Sequence, residues 1–165
     1  MIRLPAVALP SDTQATLERL QDAVNAHPTY SQQVEAGQKE YTKARQRKEF
    51  DPVMGALTEM CSGARRCHYC EDSAATDVEH IHPKEYYPHL VFAWENYLYA
   101  CPRCNRPKST RFDIYSHVEG SRISVPAHVK EKVAPPPNGD ALLINPRTEA
   151  PMTFLLLDIR DTFLL

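Results

Sequence analysis

At 165 residues the chain is long enough for one compact domain with elaborations and too short for two full-sized ones. Hydrophobic residues at 42% and charged residues at 24% place it among ordinary globular proteins, and no apolar run approaches the ~20 residues of a membrane span. A net charge of −2 excludes a chain that holds polyanions by overall charge alone, but leaves room for a locally basic cleft.

In chain order, Met1-Ile2-Arg3-Leu4-Pro5 is interrupted by Pro5 and Pro10 too early for a secretory signal, so a cytoplasmic location is expected. Three helices are then predicted. Ser11 reads as an N-cap, and Leu17, Leu20 and Val24 form an apolar stripe that stops at His27-Pro28. The second runs from about residue 31 to residue 47 with Val34, Tyr41 and Ala44 inward, although Gly37 weakens it. It overlaps a basic cluster, with five Lys or Arg within residues 39–48. The third starts at Asp51-Pro52, turns Val53, Met54, Leu57 and Met60 inward, and ends at Ser62-Gly63.

Residues 64–115 are dense in cysteine, histidine and aromatic side chains. Cys67-His68-Tyr69-Cys70 and Cys101-Pro102-Arg103-Cys104 form two chelating pairs with 30 residues between them. Nothing suggests secretion, so a disulfide framework is not expected, and four thiolates in this spacing suit one tetrahedral structural zinc. The fifth cysteine, Cys61, is expected to be a buried core thiol.

Between the pairs lies Asp77-Val78-Glu79-His80-Ile81-His82-Pro83-Lys84, and the second pair is framed by Trp94-Glu95-Asn96 before it and Asn105-Arg106-Pro107-Lys108 after it. An acid beside a histidine is often only a hydrogen-bonded surface cluster. The order and spacing of all these elements resemble the HNH (ββα-metal) nuclease family, over about residues 64–115. That resemblance implies an α+β fold in which a β-hairpin and a helix hold one catalytic divalent ion, Mg²⁺ or Mn²⁺.

It also implies roles. His80 would take a proton from water, Glu79 and Asn105 would be oxygen ligands to the ion, and Asn96 would fix the loop that orients the imidazole. Arg106 and Lys108, expected on the first turn of the motif helix, could meet nucleic-acid phosphates. His82 repeats His80 two residues on and is either a further phosphate contact or the alternative base. Asp77 shares the strand parity of Glu79 and could support the ion from behind. His27, His68, His89, His117 and His128 have no motif partner and read as incidental.

The surroundings are more narrowly similar to the HNH subunits of Septu-type bacterial antiphage systems. The shared features are the helical N-terminus, Tyr86-Tyr87-Pro88, Trp94-Glu95-Asn96 and Leu142-Leu143-Ile144-Asn145-Pro146. This implies a DNA-cutting effector that works with an ABC-type ATPase docked on the N-terminal helices. The organisation expected is residues 1–63 as a helical region, 64–118 as the nuclease core with its zinc, and 119–165 as an extension. In that extension Pro135-Pro136-Pro137-Asn138-Gly139 is a turn, and strands are expected at 141–144 and 154–157, paired into a small sheet. The competing readings are a zinc-stabilised nucleic-acid-binding module without catalysis and an interaction subunit with a decayed core. The first leaves Glu79, His80, Asn96 and Asn105 unexplained together, and convergence of Glu79, His80 and Asn105 would tell against it; the intact motif speaks against the second.

Overall fold

Amphipathic helices make the N-terminal third. The computed structural model describes residues 1–72, 74–128 and 134–156. Helix α1 spans Ser11–Asn25 and buries Leu17 and Val24. Ser11 is its first helical residue rather than its cap. Pro10, in extended conformation, occupies the cap position without a side-chain bond, and its carbonyl accepts the Gln14 N–H at 2.9 Å. Helix α2, Tyr30–Ala44, is capped by Thr29, whose hydroxyl accepts the Gln32 N–H at 3.3 Å. Gly37, unfavourable by propensity, stands where a Cβ would lie 3.0 Å from Val91 Cγ2, so close packing of the motif loop accounts for it. Helix α3, Asp51–Glu59, starts with Pro52 in its first turn.

The hairpin follows. Strand β1, Asp77–His80, pairs antiparallel with β2, Tyr97–Ala100, in a register that sets Asp77 opposite Ala100 and His80 opposite Tyr97. Residues 81–96 connect them through short 3-10 turns at Pro88–Leu90 and Trp94–Asn96. Cys101 then caps helix α4, Pro102–Lys108, with proline at its start. All four β2 residues are buried, because the strand packs against α3. Leu17, Val24, Val53 and Leu57 from the helices share one core with Val91, Phe92, Tyr97 and Leu98. Each such fully buried side chain contributes roughly 1.5–3 kcal/mol, so the helices and the hairpin support one another.

A second sheet follows α4, in the order β4-β3-β5, built from β3 (Asp113–Ser116), β4 (Ser121–Ser124) and β5 (Gly139–Ala141). It packs on Phe112, Ile114 and Val125, with Tyr30, Tyr86 and Tyr87 at its edge. The strand expected at 141–144 therefore sits earlier and pairs with β3. Leu143 packs against both cores, while Leu142 is left exposed. Residues 154–156 follow a 3-10 turn, Pro151–Thr153, and form no strand; the rest of that expected element lies outside the described residues. Among the described residues, no helix is long and apolar enough to cross a membrane.

Candidate active site and metal centre

The hairpin and α4 carry two different sites at their two ends. At one end the sulfurs of Cys67, Cys70, Cys101 and Cys104 lie within 4.8 Å of one another, with Cys70 and Cys101 3.8 Å apart. A tetrahedron with Zn–S near 2.3 Å places its sulfurs about 3.8 Å apart, so the cluster has the dimensions of a four-thiolate zinc. Burial and the neighbouring sulfurs push the Cys104 thiol up from its ordinary value, which a bound cation would reverse.

Two neighbours of the cluster were only partly legible. Cys61 is half-buried rather than buried; its thiol donates to the Arg66 carbonyl at 3.2 Å, and its sulfur lies 3.5 Å from His68 Nε2. His68, expected to be incidental, is fully buried and pins the cysteine loop to β2. Its Nδ1 accepts the Tyr99 N–H at 3.1 Å and its own N–H donates to the Tyr99 carbonyl at 2.8 Å. Burial pushes its pKa down to about 4, so it works as a neutral imidazole. Its place inside the first Cys-x-x-Cys pair was the only signal.

At the other end is a cavity of about 490 Å³ lined by Asp77, Glu79 and His80 of β1, Asn105 of α4, and residues of α2. The extended strand and the short helix thus bring Glu79, His80 and Asn105 to one space.

His80 is buried, with its ring 4.5 Å from that of Tyr41 and 5.1 Å from that of Tyr97, both edge-on. Its Nε2 lies 3.0 Å from the Val91 carbonyl. A carbonyl can only accept, so Nε2 carries the proton and Nδ1 is the basic nitrogen of the neutral ring. Burial is the main reason its pKa falls to about 3, with the charges of Lys84, Lys108 and Arg45 adding to it.

Asn96 explains why the loop holds this carbonyl in place. It is buried, accepts the His82 N–H at 2.8 Å, and donates to the carbonyls of His82 at 3.0 Å and Leu90 at 2.9 Å. Val91 follows directly, and its carbonyl also accepts the Tyr97 hydroxyl at 2.7 Å.

Asn105 donates from Nδ2 to Asp77 Oδ2 at 3.0 Å, which leaves its amide oxygen for a cation. Glu79 is buried and paired with the Lys108 ammonium; burial raises its pKa while Lys108 opposes the rise. Glu79, Asn105 and Asp77 are a hard-oxygen donor set of the kind Mg²⁺ or Mn²⁺ takes.

The remaining expected residues lie differently. Arg106 and Lys108 are in the last turn of α4, not the first, because Pro102 already starts the helix behind Cys101. Lys108 turns back onto β1, donating to the His80 carbonyl at 2.7 Å as well as to Glu79, while Arg106 is exposed. His82 lies beyond the end of β1, so strand parity with His80 does not hold. Its ring sits 4.9 Å from Phe112 and 5.0 Å from Tyr87, and it does not line the cavity.

A cysteine-framed hairpin and helix, with acid, histidine and asparagines gathered at its other end, is similar to the HNH endonuclease family, whose model matches residues 67–111. More particularly, the chain is similar to a Septu protein, PtuB of Bacillus thuringiensis. The two are 37% identical over 81 residues, covering 46% of this chain and 31% of that protein. The match thus spans less than a third of that relative's length. No solved structure matches the chain. Both resemblances are borne out, the one drawn from the motif and the narrower one drawn from the motif with its surroundings.

Proposed function

We propose that the chain is a metal-dependent HNH endonuclease that hydrolyses phosphodiester bonds, with DNA the favoured substrate. The observation that carries this reading is the set imidazole. His80 Nε2 is committed to the Val91 carbonyl, which leaves Nδ1 as the base beside Glu79 and Asn105.

Glu79 and Asn105 would hold the divalent ion, with Asp77 orienting Asn105, and the ion would polarise a phosphate oxygen and the leaving group. The chain's own residues do the rest. His80 Nδ1 accepts a proton from the attacking water, its lone pair left free because Nε2 is committed to the Val91 carbonyl. Asn96 keeps the loop, and hence the imidazole, from turning. Lys108 offsets the Glu79 charge and ties α4 to β1 through the His80 carbonyl. The four cysteines would hold zinc that is structural, because protein ligands fill every position.

The likeness to a Septu protein supports a place in antiphage defence, in the cytoplasm, beside an ABC-type ATPase that docks on the helices of residues 1–63. Residues 64–118 would be the nuclease core and 119–165 its extension. The test is plasmid cleavage by the purified chain, with and without its neighbouring gene products, in Mg²⁺, in Mn²⁺ and in EDTA. Cleavage that needs the ion supports the reading. Retention of DNA without cleavage under every condition would replace it with a binding module.

A further inference from the structure

The cavity has a second wall that lies outside the segment similar to HNH nucleases. Tyr41, Thr42, Arg45 and Gln46 line it from α2 and its C-terminal cap, at the spacing of one helix face. The Tyr41 hydroxyl donates to the Val78 carbonyl at 3.4 Å and its ring covers His80, so this wall is fixed against β1. We infer that α2 closes the substrate cleft opposite the catalytic strand and that Arg45 grips a phosphate of the bound nucleic acid. The inference rests on the nuclease reading above.

The charges around the cavity single out Arg45. Asp77, Glu79 and Glu85 line it and would repel a polyanion. Of the cations there, Lys108 is paired with Glu79, and Lys84 with Glu85 at 2.7 Å. Arg45 is exposed, and among the described residues its side chain makes no ion pair or hydrogen bond. A guanidinium with all its donors open matches a phosphate in two-point contact, which an ammonium does not.

None of the other four cations of the basic cluster at 39–48 lines the cavity. Lys43 is paired with Glu40 at 2.7 Å, Lys39 lies beside His27 and Gln32 on another face, and Arg47 lies beside Leu17 and Phe50. The plainer role for Arg45 is that of a cation at a helix C-terminus, which would affect stability alone.

Two probes separate these roles: a short fluorescein-labelled DNA duplex and its single strand. Binding is read by anisotropy in a His80→Ala background, and cleavage with His80 intact, in Mg²⁺ and in Mn²⁺. Arg45→Gln should weaken binding and raise KM about tenfold with kcat nearly unchanged, and reduce the salt slope of binding by about one. Arg45→Lys should restore binding in part. Lys39→Gln removes the same charge from another face and should change neither quantity.

Binding and cleavage by Arg45→Gln at wild-type levels would overturn the inference. So would an equal loss in Lys39→Gln, or a lowered melting temperature with unchanged affinity. A wild-type chain that binds but does not cut would sink the nuclease reading and still decide the role of Arg45. One that neither binds nor cuts would end both.

Discussion

The two ends of the hairpin and α4 are built on different principles. At the cysteine end, four side chains of one kind meet within 4.8 Å, two from each local Cys-x-x-Cys turn, and His68 pins the first turn to β2. At the cavity end, every group is different, and each is placed by a partner distant in sequence. Val91 holds His80, Asp77 holds Asn105, Lys108 holds Glu79, and Tyr41 of α2 covers the imidazole. The first end can be saturated by one metal and do no chemistry. The second lines an open cavity with Asp77, Glu79 and Asn105, and packs its imidazole between Tyr41 and Tyr97.

Variants that break one end should show how far the two are coupled, ranked here by their effect on melting. Cys67→Ser, or stripping the metal with a strong chelator, should unfold the hairpin and abolish cleavage together. Structural zinc contributes roughly 10–16 kcal/mol in small zinc modules, as much as a whole domain's stability. Metal analysis should find about one zinc per chain, the four-thiolate stoichiometry; a zinc-free chain with an unchanged melting temperature would contradict the account.

Asn96→Ala comes next. It leaves the His82 N–H and two loop carbonyls without their partner, a loss of about 3 kcal/mol. Because the loop then loosens around Val91, cleavage should fall as well, whereas zinc content should not change.

Gly139→Ala probes the extension, outside both ends. Its Cβ would collide with the Tyr115 carbonyl oxygen, so the β3–β5 pairing should weaken by about 2 kcal/mol. Cleavage and zinc should be retained, and a loss of activity would show that this sheet supports the cavity. Asn105→Ala should have the smallest effect on melting, within about 0.5 kcal/mol, since the residue is only half-buried. Yet it removes a donor to the ion, so ion-dependent cleavage should fall by about 100-fold. If Asn105→Ala cuts like the wild type, the oxygen set has been misassigned.

How much was legible follows the same division. The zinc cluster could be read outright, because chelate spacing is a local property of the chain. The hairpin and helix were legible from the order of Glu79-His80, Asn96 and Asn105. What could not be read depends on tertiary packing. Nothing near Tyr41 or Arg45 indicates that α2 walls the cavity, and nothing near Lys108 shows that it turns back onto Glu79. Gly37 looked like a weakness until Val91 was found pressed against it. The strand expected at residues 141–144 is displaced to Gly139–Ala141, because β5 is defined by backbone pairing with β3, which side-chain hydrophobicity does not report.

The central claim is that His80, and not His82, is the base of an ion-dependent nuclease. The most direct measurement is the cleavage rate of a DNA duplex in Mg²⁺ or Mn²⁺ by the wild type, His80→Ala and His82→Ala, each assayed well below its own melting temperature. That condition matters because His80 is packed between two tyrosines and its truncation will lower stability. The account predicts that His80→Ala loses ~10²–10⁴ in rate while still binding the duplex, and that His82→Ala keeps most of its activity. Wild-type cleavage by His80→Ala, or its loss in His82→Ala alone, would contradict it.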